Sequence, residues 1–196
     1  MTASPVKKRA YRKSSVTQKI IFDKALAIMS EKGFQATTVR EICAEANISV
    51  GTFYNCYKSK VDILRVIYES GDQYMRNAVT AESENASALE KLHSFVRHYA
   101  KLNENTGIDA MRVLFYPSNE WFSHRRPMQV MVGDIVSEGQ RNGEIRTDLT
   151  ADEIVDFIFD IVRGVCYDWC ICGGSFDMPA RMEIHYSLLC TALRQE

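Results

Sequence analysis

The chain has 196 residues, 46% of them hydrophobic and 25% charged, with 10 Gly and 4 Pro. This composition excludes disordered, collagenous and low-complexity classes. No run of roughly 18 apolar residues occurs, so no membrane span or membrane partner is expected. The basic start, Met1 to Ser15, leads into no secretory apolar core, and a cytoplasmic location is expected. Six cysteines are too sparse for a disulfide scaffold and are read as free thiols. The net charge of −1 conceals two opposed parts: 12 Lys+Arg against 5 Asp+Glu through Arg65, then 12 against 20 from Val66 onward. A basic first third joined to an acidic remainder points the first third at a polyanion.

Ser15 and Gln18 have capping-box spacing, and Ile21, Ala25, Ile28 and Met29 then mark one helical face up to Gly33. Thr38 and Glu41 open a short helix through Ala46; Asn47, Ile48 and Ser49 form a turn; a third helix runs from about Val50 to Tyr57. Ser59 with Asp62 caps a fourth helix carrying Ile63, Leu64 and Ile67. Leu89, Leu92, Phe95, Val96 and Tyr99 mark the next one. After the turn-rich stretch Tyr116–Arg126, a helix starts near Pro127 and carries Met131, Ile135 and Val136 to about Gly143. Thr150 and Glu153 form another box, followed by Ile154, Ile158, Ile161, Val162 and Val165, until Gly173-Gly174 stops the helix. Asp177 and Pro179 open the last helix, with Met182, Tyr186, Leu189 and Leu193 on one stripe. No segment alternates as a strand does. The predicted fold is all-α with about nine helices: a basic flexible tail at 1–14, a helix-turn-helix domain at 15–58, and a larger helical domain at 59–196 with its first helix as connector.

Thr38–Ala46 and Val50–Tyr57, joined by three residues, have helix-turn-helix dimensions. Ala44, Ala46, Gly51 and Thr52 suit a close crossing, Asn47 tolerates left-handed geometry at the turn, and Ile42, Ile48 and Phe53 anchor the pair. Arg40, Ser49, Thr52, Tyr54, Asn55, Lys58 and Lys60 are left facing outward.

The run Thr38-Val39-Arg40-Glu41-Ile42-Cys43-Ala44-Glu45-Ala46-Asn47-Ile48-Ser49-Val50-Gly51-Thr52-Phe53-Tyr54, with Tyr57-Lys58-Ser59-Lys60 and Leu64, resembles the TetR/AcrR family of bacterial one-component regulators. The likeness covers roughly Thr17 to Tyr68; beyond it only the succession of helices is similar. The resemblance implies three N-terminal helices for double-stranded DNA and a larger domain for a small-molecule effector and homodimerisation, with repression as the default. It implies contacts from Thr38 and Arg40 to phosphate or a base edge, and Ser49 as the cap of the recognition helix beside a phosphate. Val50, Gly51, Thr52 and Asn55 match groove-entering positions, and Tyr54 and Lys60 match phosphate-binding ones. Two positions depart from the family pattern: Asn47 replaces the more usual Gly, and Cys56 stands where His or Tyr is common. A redox role for Cys56 stays open beside plain packing. The basic residues Lys7, Lys8, Arg9, Arg12 and Lys13 read equally as a DNA-contacting arm and as a solubilising tail.

The dense apolar and aromatic cluster Tyr99, Met111, Phe115, Tyr116, Trp121, Phe122, Met128 and Met131 is where the resemblance puts an effector pocket, with Arg112, His124 or Tyr167 to orient the ligand. The two C-terminal stripes, Ile154, Ile158, Ile161 and Val165 with Met182, Tyr186, Leu189 and Leu193, are predicted to form a four-helix dimer interface. Cys166, Cys170 and Cys172, with Cys190 and His185 nearby, match no established zinc spacing and are read as core or interface thiols. No cofactor is expected. An enzyme is the rival reading, but no P-loop, GxGxxG, GxSxG or HExxH pattern is present. An architectural DNA-binding protein without effector is disfavoured by the large apolar second domain.

Overall fold

The structure, a computed structural model, describes residues 5–82, 86–115 and 125–195. Among them are nine helices: α1 (Pro5–Lys32), α2 (Val39–Glu45), α3 (Val50–Cys56), α4 (Val61–Ala81), α5 (Ala88–Thr106), α6 (Ile108–Leu114), α7 (Pro127–Arg141), α8 (Ala151–Ile171) and α9 (Met178–Leu193). The described residues contain no strand, only an isolated antiparallel bridge between Ile145 and Arg194. The chain divides into two compact units, one up to Tyr68 and one from Glu69, with α4 running through the boundary.

In the first unit α1 packs on α2 and α3, which pack on each other. Ile21, Ala25 and Met29 of α1 bury their stripe against Ile42, Cys43, Phe53 and Tyr57, closed by Phe34, Ile63 and Leu64. The i, i+4, i+8 spacing of the α1 trio is what makes this one face. Two expectations are corrected here. Ser15 caps no helix, and residues 5–14 are not a separate tail, because α1 begins at Pro5 and runs through both. Pro suits the first helical turn, and no Gly or further Pro interrupts the sequence before Gly33. Gly33 then ends the helix at φ 84°, as its position predicts.

The second unit is built around α5, which packs on α9, α7, α8 and α6, while α7 and α9 each pack on α8. Capping boxes start α5 (Ser87 with Glu90) and α8 (Thr150 with Glu153), and Asp177 caps α9 through the Ala180 N–H at 2.9 Å. The expected boundary at Thr150 is observed; α6 is an added element, set apart from α5 by Gly107 at φ 83°. At the α5–α7 contact a Cβ on Gly139 would stand 2.7 Å from the Ala88 Cβ and 2.6 Å from the Ile145 Cδ1. Only glycine permits that approach. The end of α9 is fastened to the α7–α8 turn by Arg146 N–H to Leu193 C=O at 2.9 Å and Gln195 N–H to Glu144 C=O at 3.3 Å.

Candidate functional site

The two-helix unit is assembled by its own polar residues. Thr38 and Glu41 form a reciprocal box: the Glu41 N–H donates to the Thr38 hydroxyl at 3.3 Å, and the Thr38 N–H donates to the Glu41 carboxylate at 2.8 Å. The Lys32 ammonium also donates to Glu41, and this bond, then those from Thr38, hold the carboxyl down to about 2. Ser49 caps α3 by accepting the Thr52 N–H at 3.0 Å, and the two hydroxyls lie 2.9 Å apart. Between the helices Asn47 takes φ 50°, a left-handed conformation that Asn tolerates, and this reverses the chain in three residues.

This arrangement leaves one face of α3 open to solvent. Val50, Gly51, Tyr54 and Asn55 are exposed, as are Thr38, Arg40 and Ser49, and Thr52 is half-buried. Phe53 is fully buried and stands edge-on to the Tyr54 ring at 5.4 Å, which restricts the exposed phenol. Tyr57 anchors the C-terminal end of α3. Its hydroxyl donates to the Gln18 carbonyl at 3.1 Å, the Gln18 amide returns a bond to the Cys56 carbonyl at 3.3 Å, and burial pushes the phenol up to about 12.

Lys60 is placed differently from the expected phosphate-binding position. Its ammonium donates to the carbonyls of Phe34 (2.6 Å), Thr37 (2.8 Å) and Gln35 (3.2 Å), and it lies 4.4 Å above the Phe34 ring. Three N–H donors thus meet three acceptors. Burial lowers the ammonium's pKa, opposed by the negative charge of Glu41. Lys60 ties the start of α4 to the α1–α2 turn. The sequence could not reveal this, because carbonyl acceptors carry no residue signature. At Cys56 burial raises the thiol pKa, which disfavours the reactive thiolate.

In the second unit the expected pocket residues Tyr99, Met111 and Met128 are buried, and Phe115 and Met131 are half-buried. Tyr116, Trp121, Phe122 and His124 lie outside the described residues. Of the groups expected to orient a ligand, Arg112 donates to the Cys170 carbonyl at 3.3 Å, whereas the Tyr167 side chain is half-exposed. The interior polar groups that sequence reasoning missed are Asp72, Arg126 and Arg163. Arg126 donates to Asp72 at 3.0 Å, both side chains being nearly buried. Arg163 bonds the Tyr99 hydroxyl and lies 5.0 Å from the Phe159 ring centroid. Burial pushes the Tyr99 phenol up, and the positive charges of Arg163 and Arg126 oppose this. The Asp72–Arg126 pair spans 54 positions, so no local spacing announces it. The α8 cysteines Cys166 and Cys170 are buried, and Cys172, which caps the helix end, is exposed; burial raises the Cys166 and Cys170 thiols. Among the described residues no three His, Cys, Asp or Glu side chains group closely enough to hold a metal.

The predicted dimer stripes require correction. Ile154, Ile158, Val165, Met182, Tyr186, Leu189 and Leu193 are buried within the chain itself, and Ile161 is half-buried. A side chain already enclosed has no area to give a second copy. The outward faces are instead Phe157, Tyr167 and Ile171 of α8, beside Gly164 with open space above it, and Ile184 and Leu188 of α9. Ile171, Ile184 and Leu188 are 65%, 64% and 68% exposed. Both helices carry two apolar stripes, and periodicity cannot say which one faces inward.

Residues 21–67 match the profile of bacterial regulatory proteins of the tetR family, and residues 69–192 match the C-terminal region of YsiA-like proteins. The fatty acid metabolism regulator protein of Bacillus subtilis is 23% identical over 184 residues, covering 90% of this chain and 95% of that one. The HTH-type transcriptional repressor KstR2 of Mycolicibacterium smegmatis is 28% identical over 159 residues, 76% of this chain and 77% of its own. The crystal structure of FadR from Bacillus subtilis in complex with stearoyl-CoA superposes with a TM-score of 0.72 at 24% identity, over 89% of this chain and 98% of that one. The helix-turn-helix unit, the larger helical unit and the two consecutive profile matches agree: the chain belongs to the TetR family of bacterial transcriptional regulators.

Proposed function

We propose that the protein is a dimeric repressor that leaves a palindromic operator when an amphipathic acyl effector, of the acyl-CoA type, fills its C-terminal unit. The observation that carries the DNA half of this reading is the exposed face of α3, with Val50, Gly51, Tyr54 and Asn55 outward on a capped, Phe53-anchored helix. A short rigid helix with small and hydrogen-bonding side chains suits the major groove, with Thr38, Arg40, Ser49 and Tyr54 positioned for backbone phosphates. Lys60 serves this surface indirectly, by holding the α1–α2 turn. The effector class is supported by the Bacillus subtilis fatty acid metabolism regulator and by the structure of Bacillus subtilis FadR bound to stearoyl-CoA. The apolar interior around Tyr99, Met111 and Met128 is suited to an acyl chain. The second copy docks on Phe157, Tyr167, Ile171, Ile184 and Leu188.

On this reading the protein acts in the cytoplasm by binding and not by catalysis. Selection from random duplexes should enrich an inverted repeat. Asn55→Ala should then cost about 1–3 kcal/mol on that site and relax its sequence preference. A dodecanoyl-CoA titration should raise the melting temperature and release the operator. Enrichment of no site, or of a site without two-fold symmetry, defeats the proposal.

A further inference from the structure

The interior of the C-terminal unit holds an ion pair with a loose end. Asp72 on α4 and Arg126, the residue before α7, meet at 3.0 Å with side chains only 13% and 11% exposed. The Asp72 Oδ2 takes the guanidinium, while Oδ1 is buried without a hydrogen-bond partner among the described residues. Arg126 and Arg163 both act on Tyr99, Arg163 by a hydrogen bond to its hydroxyl. The ring of Phe159, beneath Arg163, packs in turn against Tyr99 and Phe95 at centroid distances of 6.2 and 5.5 Å. Two guanidinium groups and a phenol thus neighbour an aromatic wall.

A buried ion pair stabilises a fold little more than well-packed apolar residues do, so stability alone gives no reason to keep it. A carboxylate with one unmet oxygen is also an incomplete partner for a guanidinium fork, which matches two oxygens at once. An oxyanion arriving at the polar end of an apolar molecule can offer the fork both oxygens. We propose that Asp72 occupies Arg126 only until the effector arrives: Arg126 receives the effector's oxyanion, carboxylate or phosphate, and the Asp72 carboxylate is displaced. This inference rests on the acyl-effector reading above and adds the group that selects charge.

The test is titration calorimetry on the full-length protein with three probes that share one chain: dodecanoate, dodecanoyl-CoA and methyl dodecanoate. The first carries a carboxylate, the second phosphates, the third no charge. The wild type should prefer an anionic probe over the ester, and which anion it prefers identifies the source of the oxyanion. Arg126→Gln should weaken that anion about thirtyfold or more and leave the ester unchanged. Asp72→Asn should tighten the anion about fivefold by removing its internal competitor. The double variant, Asp72→Asn with Arg126→Gln, leaves no lone buried charge and secures the folded protein should either single variant unfold. It should bind the ester and lose the preference for anions. If the wild type binds a probe but the anion-to-ester ratio is the same in the double variant, the displacement proposal is overturned while the acyl reading stands. If no probe binds the wild type, the acyl reading falls and this inference with it.

Discussion

In the N-terminal unit, polar side chains sit at the surface and commit their hydrogen bonds to caps and turns, as Thr38, Glu41, Ser49 and Lys60 do. The C-terminal unit instead draws Asp72, Arg126, Arg163 and Tyr99 inward among aromatic rings. The first arrangement builds a rigid outer face at short sequence range, fit for a partner too large to be enclosed. The second keeps charge in low dielectric, where one exchanged contact matters more than at the surface. A polyanion is met by shape and position, a small molecule by what it can replace.

The sharpest way to break this division uses two adjacent leucines on α9. Leu189→Glu places a carboxylate in the core and should lower stability by about 3–5 kcal/mol, seen as loss of the cooperative melt. Leu188→Glu, one position earlier and 68% exposed, should leave the melt nearly unchanged and produce a monomer by sedimentation velocity. Reversed outcomes would return the dimer contact to the stripe first expected.

A smaller effect belongs to the N-terminal unit. Lys60→Met removes the ammonium shared by three carbonyls and should destabilise the unit by about 2 kcal/mol in a urea titration. Its effect on operator binding should follow the folded fraction, with no change in the salt dependence of binding. A salt slope reduced by about one phosphate, with stability intact, would make Lys60 a direct contact instead.

The smallest effect is in acid. The Glu41 carboxyl is held at about 2 against an ordinary value of 4.5, by Lys32 first and then by Thr38. Its folded value is the lower one, so its stabilisation is present above pH 4.5 and fades as pH falls toward 2. Glu41→Gln should therefore flatten the decline of melting temperature across that interval. An unchanged acid profile would show that the cap adds nothing by its charge.

The parts legible in the sequence are those fixed by short-range chemistry. The boxes at Thr38 and Thr150, the stop at Gly33 and the turn at Asn47 each depend on residues within a few positions of one another. The inner and outer stripes of α8 and α9 were not separable, because both are apolar and only the partner elements decide burial. The tie made by Lys60 and the Asp72–Arg126 pair depend on contacts 23 or more positions apart. The extension of α1 to Pro5 was hidden by a plausible cap at Ser15, which lost to uninterrupted helix-forming sequence on both sides.

The bridge between Ile145 and Arg194 has a practical meaning for handling the molecule. Residues following α9 are stitched to the turn that carries Ile145, whose side chain is wholly enclosed and presses on Gly139. Clipping the chain after Leu193 would remove the Gln195 N–H bond to Glu144 and the backbone bridge from Arg194 to Ile145. Any fusion or label placed after α9 therefore has to leave Arg194 and Gln195 in register.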